Sequence, residues 1–259
     1  MGSIVDWGLA ERVATTAAGE GPGAMTAPRV DLDDAAERSR QAVIAYTGLT
    51  PLEPVPAPEW VSRREWAVAN LRSMRELIAV AETRLSGSLA PGAAGAALDA
   101  VAGRAVAVQL GGLLGLASRR VLGQYEVSLL GGGSAPRLLF VGENLDAATS
   151  ELPGTPAEVL GWVALHEVTH AVHFSSVPWL SAHLGALAHE LLAETPLSLQ
   201  GSQLLGGSRR ALADPLGWIA ELRDSDPVTL LAPPDARATI AAVQATMALV
   251  EGYAEHVMD

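Results

Sequence analysis

The chain contains no cysteine and no lysine. Without cysteine there are no disulfides, thiolate nucleophiles, iron–sulfur clusters or cysteine-built zinc fingers. Any metal must be held by histidine and carboxylate. All 17 basic residues are arginine, which removes a Walker-type phosphate loop, a Schiff-base lysine and a lysine general base together. Positive charge is also outnumbered: 29 acidic residues against 17 basic ones leave a net charge of −12. Such a surface repels phosphate backbones, so nucleic acid is not expected as a partner. No hydrophobic run is long enough to span a membrane. The most apolar stretch, between Arg104 and Arg119, contains Gln109 and is interrupted by Gly111, Gly112 and Gly115. It falls short of the ~20 residues that a spanning helix needs, and it reads as a buried helix. Met1 to Ala10 shows no basic segment followed by an apolar run, so no secretory signal is expected and a cytoplasmic location is the default.

What is present supports a folded chain. Hydrophobic letters make up 49% of 259 residues, enough for a real core in one or two domains. The organisation reads as an N-terminal helical region over 1–120 and a C-terminal region over 121–259, which one continuous domain could also accommodate. Helices are expected over Ile4–Ala17, Asp31–Tyr46 and from Ser62 to about Leu85. Ser62 and Glu65 form a capping box there, and Val61 can staple onto Trp66. Four prolines between Thr50 and Pro58 argue against regular structure in that segment. Gly92–Leu122 reads as a central helix, apolar on most sides and packed closely by its neighbours. Tyr125–Leu130 and Arg137–Val141 read as a β-hairpin joined by Gly131–Pro136. Further helices are expected from Thr155 to about Phe174, over Leu180–Ala193, Arg209–Asp224 and Asp235–Asp259. The fold class is therefore mainly α with a small β-hairpin or sheet.

The chemistry lies in His166-Glu167-Val168-Thr169-His170. Thr155, Pro156 and Glu158 start its helix independently, through a capping box with proline at the first helical position. Residues i and i+4 share one helix face, so the two imidazoles can bind one zinc ion. Glu167 lies about a quarter turn away, where it can take a proton from a zinc-activated water attacking a carbonyl. With six histidines in the chain, chance produces this pattern in roughly one such sequence in a hundred. The plainer alternative is two ordinary helix histidines and a solvated glutamate. His173, one turn after His170, can face the same cleft on the substrate side, with simple packing as its blander role.

A catalytic zinc needs a third protein ligand and an open position. Glu190 and Glu251 compete for that place, with a third histidine or no further ligand as the remaining options. In the last helix, Ile240, Val243, Met247, Val250, Ala254 and Val257 mark a buried stripe. Glu251 falls at the border of that stripe, about 70° from its centre, and Glu255 about 110° away. A carboxylate at such a border needs a charged partner. Glu255 can then hold a ligand histidine through its other ring nitrogen. Glu190 and Glu194 read instead as a solvated pair beside an apolar leucine face.

The His166–Phe174 run, Val177-Pro178-Trp179-Leu180 and the Glu251–Asp259 end resemble an uncharacterised family of zincin-like metallopeptidases, often described as hydrolases associated with deazaflavin-coenzyme biosynthesis. The Ser62–Trp66 helix start and the Arg137–Val141 strand are similar too, so the resemblance covers most of the chain. It implies a mostly helical zincin-like fold with a small sheet beside the motif helix. It also implies His166, His170 and Glu251 as zinc ligands and Glu167 as the base. The family often has histidine where this chain has Tyr253, which could donate to a developing oxyanion. Members usually continue beyond the Val-Met-Asp that ends this sequence.

Two functions follow as expectations. One is a zinc-dependent hydrolase of peptide or amide bonds. The other is an inactive zincin-like scaffold or interaction protein, for which an acidic, alanine-rich helical chain would also serve. A cofactor-binding enzyme has little support. No Gly-x-Gly-x-x-Gly follows a strand, and Gly131–Gly133 lacks a helix N-terminus behind it.

Overall fold

Leu138, Leu139, Phe140 and Val141 are completely buried, and they make up most of β3 (Arg137–Val141). Alternate residues of a strand point to opposite faces, and here each face has its own core. Leu138 and Phe140 pack with Val159, Leu160, Val163, Val168 and Val172. Leu139 and Val141 pack with Val61, Trp66, Ala67, Leu71 and Ala107. A continuous apolar run, rather than an alternating one, is what a strand covered on both faces requires.

The computed structural model describes residues 5–19, 31–85, 93–127, 135–194 and 236–259. In chain order these form α1 (Trp7–Ala18), α2 (Leu32–Thr47), β1 (Pro58–Val61), α3 (Arg63–Leu85), α4 (Ala93–Ala117), β2 (Gly123–Glu126), β3, α5 (Gly142–Glu151), α6 (Pro156–Ser176), α7 (Pro178–Glu194) and α8 (Arg237–Met258). The fold is mainly helical with a small sheet, as expected. The sheet has three strands in the order β1-β3-β2. β1 runs parallel to β3, with Pro58 opposite Leu138, and β2 runs antiparallel, with Gly123 opposite Phe140.

Four expectations need correction. β1 lies at the end of a proline-rich segment whose sequence reads as irregular. Pro58 is the first residue of an outer strand, where it can sit without giving up a needed ladder bond. The strand expected over 125–130 starts earlier, at Gly123, and residues 128–134 lie outside the described residues, as does the helix expected over 209–224. α5 is a further helix that the sequence does not signal; no side chain caps its start at Val141, so the usual mark is absent. Finally, α4 is not covered all round. Val101, Val108, Leu113 and Leu116 are between 48% and 66% exposed.

The glycines of α4 explain its packing on the opposite side. A Cβ at Gly111 would stand 2.4 Å from the Ala10 carbonyl oxygen, and one at Gly115 2.5 Å from that of Ala14. α1 meets them with the fully buried Ala10, Ala14 and Ala18. Small residues on both helices let the backbones touch. Among the described residues, no helix is long and apolar enough to cross a membrane.

Candidate metal centre

α6 starts as its sequence dictates. The Glu158 amide donates to Thr155 Oγ1 at 3.3 Å, and the Thr155 amide donates to Glu158 Oε2 at 2.7 Å. Pro156 occupies the first turn. This phasing sets Val163, Ala164, Val168 and Val172 into the core. It leaves His166, His170 and His173 on a shared flank, by the 3–4 residue spacing of a helix. α8 is anchored by Val250 and Ala254, both fully buried, with Val250 packed against Phe174, Leu180 and Leu184. Glu251 follows directly and reaches the same flank of α6.

Three donors converge there. His166 Nε2 and His170 Nε2 are 3.2 Å apart. Glu251 Oε2 lies 3.6 Å from the first and 3.5 Å from the second. A tetrahedral zinc site with ligand bonds of ~2.0–2.1 Å has edges of about 3.4 Å between its donors. The observed triangle has that size, and two imidazole nitrogens and one carboxylate oxygen are a donor set that suits zinc. Among the described residues this is the one group of histidine and acidic side chains able to hold a metal ion. Burial holds the His170 imidazole down at about 4, against the opposing pull of Glu251, so it stays neutral as a ligand must. The Glu251 side chain is 49% exposed, and the centre opens on that side.

Glu167 is 8% exposed. Its Oε2 accepts the Tyr125 amide of β2 at 2.9 Å. Burial pushes this carboxyl up to about 7; the Tyr125 amide opposes the rise and the nearby Glu251 charge adds to it. A base that titrates near neutrality can both take and return a proton.

The other expected residues divide. Tyr253 packs its ring on His173 with centroids 4.3 Å apart. Among the described residues, the buried His173 Nδ1 has no hydrogen-bond partner, and desolvation lowers that imidazole below its usual range. His173 thus follows His170 by one turn of α6, and Tyr253 packs on it. Glu255 is exposed and, among the described residues, its carboxylate contacts neither His166 nor His170. Glu190, the rival third ligand, is exposed on α7 and lies outside the donor group.

Sequence reasoning missed three residues. Trp162, one turn before His166, stacks on that imidazole with planes 18° apart, yet is 59% exposed. Its i−4 spacing was the available signal. The Tyr125 amide and Gly123 both meet Glu167, and a backbone group on a neighbouring strand leaves no mark in a motif.

A sequence model of the zincin-like metallopeptidase family matches residues 5–259. The chain belongs to that family. Among solved structures, this zincin-like chain is similar to one described as a "putative hydrolase with a novel fold from Chloroflexus aurantiacus". The two are 28% identical with a TM-score of 0.66, over 98% of this chain and 68% of that one. No curated protein matches the zincin-like chain. Family membership implies a metal ion, and the donor triangle fits one.

Proposed function

We propose that this zincin-like chain is a zinc-dependent hydrolase that cleaves peptide or amide bonds. The observation that carries the reading is the 3.2–3.6 Å triangle of His166, His170 and Glu251, with the buried Glu167 carboxyl beside it. His166, His170 and Glu251 would hold the ion. Zinc, when bound, supplies a Lewis acid and lowers the pKa of water to ~7. Glu167 takes the proton as water attacks the carbonyl, then returns it to the leaving amine. Tyr253 and His173 flank the reacting group, where a phenol can donate to a developing oxyanion. β2 is an outer strand; its Tyr125 amide is taken by Glu167, so an extended peptide would pair with the remaining groups of that edge. The description of the Chloroflexus neighbour as a hydrolase supports the reaction class. The link to deazaflavin-coenzyme biosynthesis rests on family resemblance alone and carries no part of this reading.

The test pairs zinc analysis with hydrolysis of a broad peptide library. Wild type should bind one zinc and cleave. His166→Ala with His170→Ala should lose the zinc. Glu167→Gln should keep the zinc and lose activity by about two to four powers of ten. Zinc bound equally by wild type and the double variant would overturn the site. Zinc bound normally, with no cleavage by wild type, would leave the scaffold reading in its place.

A further inference from the structure

We propose that β2 is the positioning element for Glu167: the Tyr125 amide holds one carboxylate oxygen, and position 123 must lack a side chain so that the Glu167 arm can lie across the strand. The catalytic consequence rests on the function proposed above. The structural claim does not.

The ladder of β2 explains why these two residues are available. The Val141 amide donates to the Leu122 carbonyl at 2.9 Å. In the register that sets Gly123 opposite Phe140 and Tyr125 opposite Leu138, Leu122 opposite Val141 is a hydrogen-bonded pair. Such pairs alternate with non-bonded ones along an antiparallel ladder. Gly123 and Tyr125 therefore turn their amide and carbonyl groups away from β3, to the open edge. The Tyr125 amide meets Glu167 Oε2 there.

Gly123 and Tyr125 also share a sheet face, since side chains repeat every two residues. Tyr125 fills that face with its ring against Phe174, centroids 5.7 Å apart. Gly123 leaves it empty, and Glu167 takes the space. A Cβ at position 123 would stand 2.6 Å from Glu167 Cγ, 3.1 Å from Cδ and 3.0 Å from Oε1. The closest of these atoms is at the base of the carboxylate arm, not at its tip. Any side chain at 123 must move the whole arm, and with it the oxygen not bound to Tyr125. The opposite face of β2 cannot easily give way. Gln124 exchanges hydrogen bonds with Asn70 of α3, at 3.1 Å each, and Glu126 accepts from Ser73.

The experiment is a double-mutant cycle on the full chain, read by unfolding and by the Tyr125 amide in NMR. Gly123→Ala should destabilise the wild type. It should cost nothing, or stabilise, in a Glu167→Ala background, because the colliding arm is gone. In Gly123→Ala the Tyr125 amide should lose its hydrogen-exchange protection and shift as it does in Glu167→Ala. Zinc stoichiometry should stay at the wild-type value, since His166, His170 and Glu251 are untouched. If the hydrolase reading holds, turnover by Gly123→Ala falls about 100-fold, as for a base misplaced by an ångström. An equal cost of Gly123→Ala in both backgrounds, or an unmoved Tyr125 amide, overturns the proposal. The cycle and the amide report whether or not any substrate is cleaved, so failure of the hydrolase assignment is a separate result.

Discussion

The Glu251 carboxylate on α8 stands 3.5 Å from the His170 imidazole on α6. The contact joins two helices far apart in the chain, and burial keeps its imidazole neutral. Val250, fully buried against Phe174, Leu180 and Leu184, fixes the height of α8 at that point. Helix docking, rather than local sequence, therefore completes the donor triangle.

The third-ligand assignment is checked by metal content. Glu251→Ala should lower zinc occupancy sharply at equal free zinc, while Glu190→Ala should leave it at the wild-type value. Zinc should also raise the thermal midpoint, because an ion that binds only the folded state adds about 2.7 kcal/mol at a concentration 100 times its dissociation constant. That stabilisation should be much reduced in Glu251→Ala and absent in His166→Ala with His170→Ala. An occupancy that follows Glu190 would move the site to α7.

A pH dependence follows from Glu167. In the folded, metal-free chain its carboxyl sits at about 7, above the ordinary value of 4.5. Between those values the folded state keeps a proton that the unfolded state has lost. Stability from this group is thus present at low pH and is lost as pH rises from about 4.5 to 7. Glutamine stays neutral throughout. Urea unfolding in chelator should show Glu167→Gln more stable than wild type at pH 8, by up to about 3 kcal/mol. The advantage should disappear toward pH 4. A difference that does not change with pH would mean that the carboxyl is not held above its ordinary range.

The parts of the fold legible in the sequence are those with local signatures. Thr155, Pro156 and Glu158 announce α6, Ser62 and Glu65 announce α3, and the apolar run of Arg137–Val141 announces the buried strand. The four-residue spacing of His166 and His170 is enough to place both imidazoles on one helix face. Glu251 is reached by periodicity and resemblance together, and Glu190, which already reads as part of a solvated pair, lies outside the donor group on α7. Other features depend on contacts between distant segments. β1 exists because β3 offers it a ladder, and Pro58 gives no hint of that. The exposed leucines of α4 read as core because hydropathy cannot tell which neighbours a helix has. The grip of the Tyr125 amide on Glu167 is a backbone contact, invisible to any side-chain pattern.

The turn that leads into β2 depends on one buried amide. Asn144 is 4% exposed. Its Nδ2 donates to the carbonyls of Ser118 and Val121, and its Oδ1 accepts from Arg63 Nε. Asn144→Ala strands the buried Ser118 carbonyl and the partly buried one of Val121, and an unsatisfied buried polar group costs about 1–3 kcal/mol. Chemical denaturation should show a loss of at least that size. Asn144→Asp should fail to rescue it, since a carboxylate cannot donate to either carbonyl.

The α1–α4 contact makes three glycines of one helix respond in opposite directions. Gly111 and Gly115 face α1, where an added Cβ meets backbone oxygens at 2.4 and 2.5 Å. Backbone cannot rotate aside as a side chain does, so the helices must separate, and overpacking of this kind costs about 1–3 kcal/mol. Gly112 sits between them in sequence, yet its added Cβ meets nothing within 4 Å. There alanine only restricts the unfolded chain and favours helix, a gain of about 0.5–1 kcal/mol. Gly115→Ala and Gly111→Ala should therefore lower the unfolding free energy, and Gly112→Ala should raise it. The sign, read from three parallel denaturation curves, is the test. Equal effects at all three positions would mean that α1 does not lie against α4 at Ala10 and Ala14.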